Sequence, residues 1–174
     1  MNALLVLFIV FMSLLIAYIL GFLINLAFVN VFLKKFYEHN HALNIILVQK
    51  HELISFLMNL IKKYNFEIDE QLVSLFNSID IKDYEIIGSE KSETARNNLA
   101  LLKQELLGIS KGLEDLLKNS EYKNIVSSLA MVDNQIRYLI VSYNADVIGY
   151  NYWINFKPYK YIFILSGVRK KEII

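Results

Sequence analysis

The chain carries no charged residue before Lys34, and this feature constrains its fold more than any other. Within Leu4–Ile24, sixteen residues are Leu, Ile, Val or Phe. At about −0.3 to −0.6 kcal/mol per residue, such a run favours insertion into a bilayer by several kcal/mol. The sequence therefore predicts a transmembrane helix over residues 3 to 24, with Asn25 and Asn30 marking the membrane interface.

The apolar run does not have the features of a cleavable signal peptide. A signal peptide has a positive start, an apolar stretch of about 7–15 residues and small residues before the cleavage point. Here only Met1-Asn2-Ala3 precedes a much longer run, and Ala27 has no small partner two positions away. We therefore expect an uncleaved anchor, with residues 1–33 forming the membrane helix and a juxtamembrane helix.

The basic residues beside this segment are one-sided. No Lys or Arg precedes it, and Lys34 and Lys35 follow it directly. Because basic residues stay on the cytoplasmic side, we expect a single-pass protein of the cell (inner or plasma) membrane. Its N-terminus would lie outside and residues 34–174 in the cytoplasm. The chain contains no Cys, which agrees with a domain that uses no disulfide bonds.

Residues 34–174 contain all 18 Lys and Arg and all 17 Asp and Glu of the chain. The net charge of +1 gives no extended basic surface, so we expect no nucleic-acid partner. No Gly lies between Gly21 and Gly88, and the only Pro is Pro158. Long helices are therefore allowed over most of this domain.

Apolar residues at helical spacing predict a first soluble helix that ends near Ile79. They are Leu43, Ile46, Leu53, Leu57, Leu60, Tyr64, Ile68, Leu72, Leu75 and Ile79. This helix is either continuous with the membrane helix or broken near Asn65. We interpret residues 80–92 as a connection in which Ser89 and Ser92 are candidate N-caps of the next helix.

Two further helices follow from the same spacing. The second has a heptad pattern at Ala95, Leu99, Leu102, Leu106, Ile109, Leu113 and Leu116. The third places Tyr122, Ile125, Leu129, Val132, Ile136, Leu139, Tyr143, Val147 and Tyr150 on one face and ends before Pro158. We interpret Gly108 and Gly112 in the second helix as local weak points rather than as sites of close backbone approach.

These patterns predict an all-α fold. A transmembrane helix would be followed by an antiparallel, coiled-coil-like bundle of three long helices, or of four if the first soluble helix breaks near Asn65. Only Asn119-Ser120 separates the second and third helices, so we expect them to form a hairpin.

Several segments of the chain resemble the LemA family of bacterial membrane proteins. The first is Leu47–Ile54, which includes His51 and Glu52; the others are the pairs Asp133-Asn134, Tyr143-Asn144 and Tyr150-Asn151. Departures from the family pattern indicate a divergent member: Ser55 replaces a usual Pro, Tyr122-Lys123 replaces Tyr-Pro, and the expected Arg near Ile140 is missing. The resemblance implies a helical bundle behind one membrane helix, without an established enzymatic activity or cofactor.

Residue patterns that would indicate catalysis are incomplete. His51-Glu52 begins like the zinc-protease motif H-E-x-x-H, but Ser55 occupies the position of the second His. The six Gly residues never come closer together than four positions, so no phosphate-binding loop is expected. We therefore predict no catalytic residue, metal site or cofactor, and keep a metal-dependent enzyme using His51 and Glu52 as a remote alternative.

The pairs Tyr143-Asn144 and Tyr150-Asn151 lie seven residues apart, so both Tyr share one helix face and both Asn the adjacent face. The Tyr rings could pack in the bundle while the Asn amides connect neighbouring helices, which is the interpretation we favour. Alternatively, the Asn residues could form a groove for a peptide or a partner helix.

The C-terminal tail, residues 156–174, combines aromatic residues with Lys and Arg. We expect residues 161–165 to cover the open end of the bundle while the charges stay in water. The alternative is contact with a membrane surface, to which basic-aromatic segments are suited.

The favoured function is a non-enzymatic scaffold or protein-interaction module that is anchored in the lipid bilayer and binds a protein partner. A second hypothesis is a membrane-organising protein that acts through self-assembly as a homo-oligomer. The identity of the partner does not follow from the sequence.

Overall fold

A computed structural model of the chain describes residues 3–64, 66–84 and 89–174. Over these residues the protein is 84% helical and has no strand, so the predicted all-α class is confirmed. The helices are α1 (Ala3–Lys63), α2 (Glu70–Asn77), α3 (Glu90–Ser110), α4 (Glu114–Lys118), α5 (Ser120–Ile154) and α6 (Lys160–Leu165), with a short 3₁₀ helix at Ile81–Tyr84.

Helix α1 joins the predicted membrane segment and the first soluble helix in 61 continuous residues. The prediction that this helix continues to about Ile79 is wrong, because α1 ends at Lys63 and α2 begins at Glu70. The Asp69 carboxylate accepts a hydrogen bond from the Gln71 backbone N–H and so caps α2. These helix ends agree with the alternative, a break near Asn65, although Asn65 itself lies outside the described residues.

Helix α3 begins as the sequence predicts. The Ser89 hydroxyl accepts a hydrogen bond from the Ser92 N–H at 3.2 Å, which makes Ser89 the N-cap, while Ser92 itself is buried inside the helix. The prediction of one helix through Leu116 is wrong. Helix α3 ends at Ser110 in a turn that contains Gly112, and Leu116 belongs to the separate helix α4.

The chain divides into two compact units. Unit 1 comprises Met1–Tyr37 and Asn144–Ile173, and unit 2 comprises Glu38–Tyr143 with Ile174. Parts of α1 and α5 belong to each unit.

The core of unit 2 consists of apolar residues from α1, α3, α4 and α5. The residues that are almost fully buried are Leu43, Leu47, Ile54, Leu57, Ile61, Leu99, Leu102, Leu106, Leu116, Leu129 and Val132. The predicted heptad face of α3 is buried at Ala95, Leu99, Leu102 and Leu106 and half-buried at Ile109. Most of the predicted face of α5 is also buried. On α1 the buried positions include Leu47 and Ile54, whereas we predicted Ile46 and Leu53.

The core of unit 1 is a cluster that contains Val29, Tyr150, Ile154, Tyr159 and Phe163. At its edge, the rings of Phe28 and Trp153 stack with centroids 4.5 Å apart.

Two close approaches in unit 1 require glycine. A Cβ on Gly21 would lie 2.1 Å from the Tyr159 hydroxyl, and a Cβ on Gly149 would lie 2.5 Å from the Phe32 ring. By contrast, a Cβ on Gly108 would meet nothing within 4 Å, and one on Gly112 would make only an ordinary contact. The interpretation of Gly108 and Gly112 as positions without close approach is therefore confirmed.

Asn25 does not lie at an exposed interface, as we predicted, but is 1% exposed inside unit 1. Both polar atoms of its amide lack a hydrogen-bond partner within the described part of the chain. Asn30, by contrast, is exposed.

The N-terminal part of α1 is the largest exposed apolar surface of unit 1. It contains an 18-residue window with a mean hydropathy of 3.0, of which 0% is buried. Within the described residues, α1 is the one helix long and apolar enough to cross a membrane by length and composition.

Candidate functional site

Three helices of unit 2 meet at one carboxylate. Lys50 on α1 places its Nζ 2.8 Å from Oδ1 of Asp133 on α5. Lys103 on α3 donates a hydrogen bond to the other oxygen, Oδ2, of the same carboxylate. We call Lys50, Lys103 and Asp133 the ion triad.

The Lys50 side chain is only 8% exposed, whereas the Asp133 and Lys103 side chains are 19% and 23% exposed. Burial alone would raise the pKa of the Asp133 carboxyl, but hydrogen bonds from Lys103 and Lys50 and the charges of both ammonium groups outweigh it. The pKa of Asp133 is therefore lowered, and its carboxylate stays ionised at neutral pH.

The ion triad lines an open cleft of about 480 Å³, beside Gln104 and Arg137. Lys50, Lys103 and Arg137 line this cleft together with a single carboxylate, that of Asp133, so the cleft carries excess positive charge. The triad can hold three helices in one register, because each oxygen of Asp133 is bound to a different helix.

His51 contacts a ring of a neighbouring helix. The His51 ring stacks on the Phe76 ring of α2, with centroids 4.3 Å apart and planes at 18°. Burial lowers the pKa of His51, and the charge of Glu52 opposes this only partly. In residues 3–64, 66–84 and 89–174, no group of three or more His, Cys, Asp or Glu is placed to hold a metal ion.

Asn134 lies in a different place from its neighbour Asp133. It contributes to an apolar groove of about 530 Å³ between α1 and α5, lined by Ala42, Ile45, Ile46, Asn134, Gln135, Tyr138 and Leu139. Tyr138 is 71% exposed and Ile45 is 53% exposed. We call this surface the α1–α5 groove.

Tyr143 and Tyr150 are both buried, which agrees with the interpretation that their rings pack inside the protein. Asn144, which follows Tyr143, is half-buried and makes contacts of its own. Burial raises the pKa of Tyr150, and the nearby Tyr37 raises it further.

Asn151 binds the backbone of the chain's own C-terminal tail. Its Nδ2 donates to the Lys171 carbonyl oxygen at 2.8 Å, and its Oδ1 accepts from the Lys171 N–H at 3.0 Å. The Tyr150 hydroxyl donates to the Arg169 carbonyl oxygen, and the Lys171 ammonium lies 5.2 Å from the centre of the Phe36 ring. The favoured interpretation, that the Asn151 amide connects neighbouring helices, is therefore wrong, because this amide binds the tail. The alternative, a groove for a partner, stays a prediction.

The residues selected from the sequence thus lie at separate places. Asp133 belongs to the ion triad, Asn134 to the α1–α5 groove, His51 to a ring contact, and Tyr150 and Asn151 to the attachment of the tail. Lys34 and Lys35, which we selected for orientation, follow the apolar part of α1; the Lys35 ammonium lies 5.9 Å from the centre of the Phe32 ring.

Sequence reasoning missed the two lysines of the ion triad. A signal for one of them was present, since Leu43, Leu47, Lys50, Ile54, Leu57 and Ile61 follow steps of 4, 3, 4, 3 and 4. Lys50 therefore occupies a core position of a heptad, where a charged residue indicates a buried ionic partner.

Comparisons of the chain with protein-family models, with curated proteins and with solved structures found no match. The resemblance to the LemA family therefore stays a prediction from the residues quoted above.

Proposed function

We propose that the protein is a single-pass, membrane-anchored, non-enzymatic helical scaffold or protein-interaction module of LemA type. The observation that carries this proposal is the bare apolar surface of α1, with a window of mean hydropathy 3.0 and no buried fraction. A soluble protein rarely leaves so large an apolar surface in water, whereas a bilayer covers it without cost.

The bundle behind the anchor is proposed to be antiparallel. Two contacts within unit 2 support this arrangement for α1 and α5. Asn119, just before α5, donates a hydrogen bond to the hydroxyl of Tyr64, just after α1. Further along α5, Asp133 pairs with Lys50, which lies earlier on α1. Residue numbers therefore increase along α5 in the direction in which they decrease along α1, as in an antiparallel pair.

The α1–α5 groove is the proposed surface for a protein partner. It combines exposed apolar residues, Ile45 and Tyr138, with the amide groups of Asn134 and Gln135 at its edge. An apolar floor with a few polar groups suits an amphipathic helix, whose apolar side chains bind and whose register is fixed by hydrogen bonds.

The orientation can be tested with reporters fused after Ile174. We expect a reporter that is active only in the cytoplasm to work, and one that is active only outside the cytoplasm to fail. Because Lys34 and Lys35 are the proposed cause, the double variant Lys34→Gln/Lys35→Gln with two Lys added near the N-terminus should invert or scramble the insertion. The opposite reporter pattern in the parent chain would refute the orientation.

The interaction role can be tested by photo-crosslinking in native membranes. A photoreactive residue in place of Tyr138 should give a discrete protein adduct, and Ile45→Asp should abolish it by placing a charge in the groove. The same photoreactive residue in place of Lys123, which is exposed elsewhere on α5, serves as the control. An adduct of twice the mass of the chain would favour self-assembly, and equal adducts at both positions would refute the groove as the binding surface.

A further inference from the structure

Helix α6 is apolar on both of its sides. Phe163 and the preceding Tyr159 are buried in the core of unit 1. On the other side, Tyr161 and Ile164 are largely exposed and Leu165 is 87% exposed. The described residues of unit 1 leave these three side chains exposed, so the outer side of α6 is an apolar face open to a ligand.

Three contacts hold α6 against α1 near the end of the exposed apolar residues 3–20, which we call the bare segment. The Tyr159 hydroxyl donates to the Tyr18 carbonyl oxygen at 3.3 Å, and the Tyr18 hydroxyl donates to the Pro158 carbonyl oxygen at 2.9 Å. The ring of Tyr159 occupies the space that a side chain at Gly21 would need. The position of α6 along α1 is therefore set by three contacts.

The length of the bare segment indicates at which membrane depth α6 lies. Residues 3–20 of α1 are exposed, and a helix over this range is about 27 Å long at 1.5 Å per residue. The hydrocarbon core of a bilayer is about 30 Å thick. If α1 is anchored as proposed, this length places Tyr18 and Gly21 near the boundary between hydrocarbon and headgroups.

Residues around α6 have the composition of a membrane interface. Tyr18, Trp153 and Tyr159 lie within this part of unit 1, and Tyr and Trp are the residues enriched where headgroups meet hydrocarbon. Five basic residues lie within or beside this helix, namely Lys157, Lys160, Arg169, Lys170 and Lys171, whereas the only acidic residue from 157 onward is Glu172. Anionic headgroups complement such a charge pattern.

We propose that the exposed side of α6 is an interfacial membrane-binding surface for a bilayer that contains anionic lipids. Tyr161, Ile164 and Leu165 enter the boundary of the hydrocarbon, and the flanking lysines bind headgroup phosphates. This inference rests on the proposed membrane anchoring through α1. It gives the protein a second lipid contact, which fixes the rotation of α1 about its own axis relative to the membrane.

The absence of Cys allows a direct test. The full chain carrying Leu165→Cys is spin-labelled and reconstituted into vesicles of phosphatidylcholine mixed with phosphatidylglycerol. Leu7→Cys, on the exposed apolar part of α1, serves as the control for bilayer anchoring. Lys118→Cys, at an exposed position of α4, serves as the control for water. Collisions of each label with oxygen, which dissolves in lipid, are compared with collisions with a water-soluble nickel chelate.

We expect the Leu165 label to collide several-fold more with oxygen than with the nickel chelate, as the Leu7 label does and the Lys118 label does not. If Leu7 is in lipid and Leu165 reads as aqueous, the inference is wrong and the anchoring stands. If Leu7 also reads as aqueous, both fail. A Leu165 label shielded from both reagents, with dipolar broadening between labelled copies, would show that a second copy covers α6 and would overturn the inference.

The electrostatic part is tested with Lys157→Gln/Lys160→Gln in the Leu165→Cys background. The matched control is Lys62→Gln/Lys63→Gln, which removes the same charge from exposed positions at the end of α1. Only the first pair should raise nickel collisions of the label, by about twofold or more, and only in vesicles with phosphatidylglycerol, since basic residues are attracted to an anionic membrane surface. An unchanged ratio would refute the role of these lysines.

Discussion

Replacement of Asp133 by Asn should strongly destabilise unit 2, because it leaves two ammonium groups beside each other without a counter-charge. At the 2.8 Å separation of Lys50 and Asp133, an effective dielectric constant of about 20 gives about 6 kcal/mol of attraction. Desolvation of the ions offsets much of this, but loss of one partner leaves Lys50 charged and 8% exposed. We expect a loss of about 3 kcal/mol in the free energy of unfolding.

The partner variant Lys50→Met separates this effect from simple loss of contacts. It removes the buried charge, keeps a side chain of similar length, and leaves Asp133 paired with Lys103, so we expect a change within about 1.5 kcal/mol. The double variant Lys50→Met/Asp133→Asn should be more stable than Asp133→Asn alone. Asp115→Asn is the matched control, since Asp115 and Lys118 are 3.7 Å apart but 88% and 75% exposed, and we expect less than about 0.5 kcal/mol.

These stabilities are measured on the full chain in detergent micelles by urea unfolding, followed by circular dichroism. Equal urea midpoints for Asp133→Asn and Asp115→Asn would refute the reasoning. So would a double variant that is less stable than Asp133→Asn alone.

The pH dependence is a second readout. Because the folded pKa of Asp133 is lowered, its contribution is complete above the ordinary carboxyl value near 3.8 and is lost as pH falls through the lower folded value. Asp133→Asn should flatten this acid limb of the stability curve.

Three further predictions concern other positions. Gly149→Ala should lower the melting temperature because its Cβ would meet the Phe32 ring. Gly108→Ala should leave the melting temperature unchanged or raise it, because Ala in a helix interior is more favourable than Gly by up to about 1 kcal/mol. Equal melting temperatures of the two variants would contradict this. Asn151→Ala should release the tail and speed tryptic cleavage after Lys170 or Lys171, with Asn97→Ala as the exposed control; unchanged cleavage would show that the amide bonds do not hold the tail. Because burial lowers the pKa of His51, the unfolded chain binds a proton first as pH falls below about 6.5, so stability should decrease there, and His51→Gln should reduce that slope.

Helix faces with a regular pattern were predicted correctly. On α5 the apolar residues chosen by their helical spacing share one side, and all of this predicted face except Leu139 is buried, whereas other apolar residues such as Tyr138 are exposed. On α1 apolar residues occur on all sides of the helix. Two sets of positions, offset by one residue, therefore fit the helical spacing of apolar residues almost equally well. The buried register contains the charged Lys50, which fits a core position only when paired with Asp133. This is why the sequence pattern predicts Ile46 and Leu53 instead of Leu47 and Ile54.

Helix ends and long-range contacts were predicted less well. The heptad spacing continues through Leu113 and Leu116 although α3 ends at Ser110, because the turn at Gly112 returns the chain to the same side of the core. Lys103 and Asp133 are 30 residues apart, and no local pattern pairs them. The hydrogen bonds between Asn151 and the tail likewise depend on the position of the end of α5 beside α1, which no local pattern predicts.

The contacts of the tail with α1 also determine when unit 1 can close during synthesis. Tyr18 and Pro158 are joined by a hydrogen bond across 140 residues. At about 5–20 residues per second, a ribosome needs roughly 7–28 s to make the intervening chain. Throughout that time, the side of α1 that Tyr159 and Phe163 will cover has no intramolecular partner. A nascent chain is therefore most prone to misassociation at Gly21 and the next turns of α1. This period ends when Tyr159 and Phe163 have been synthesised and complete the core of unit 1.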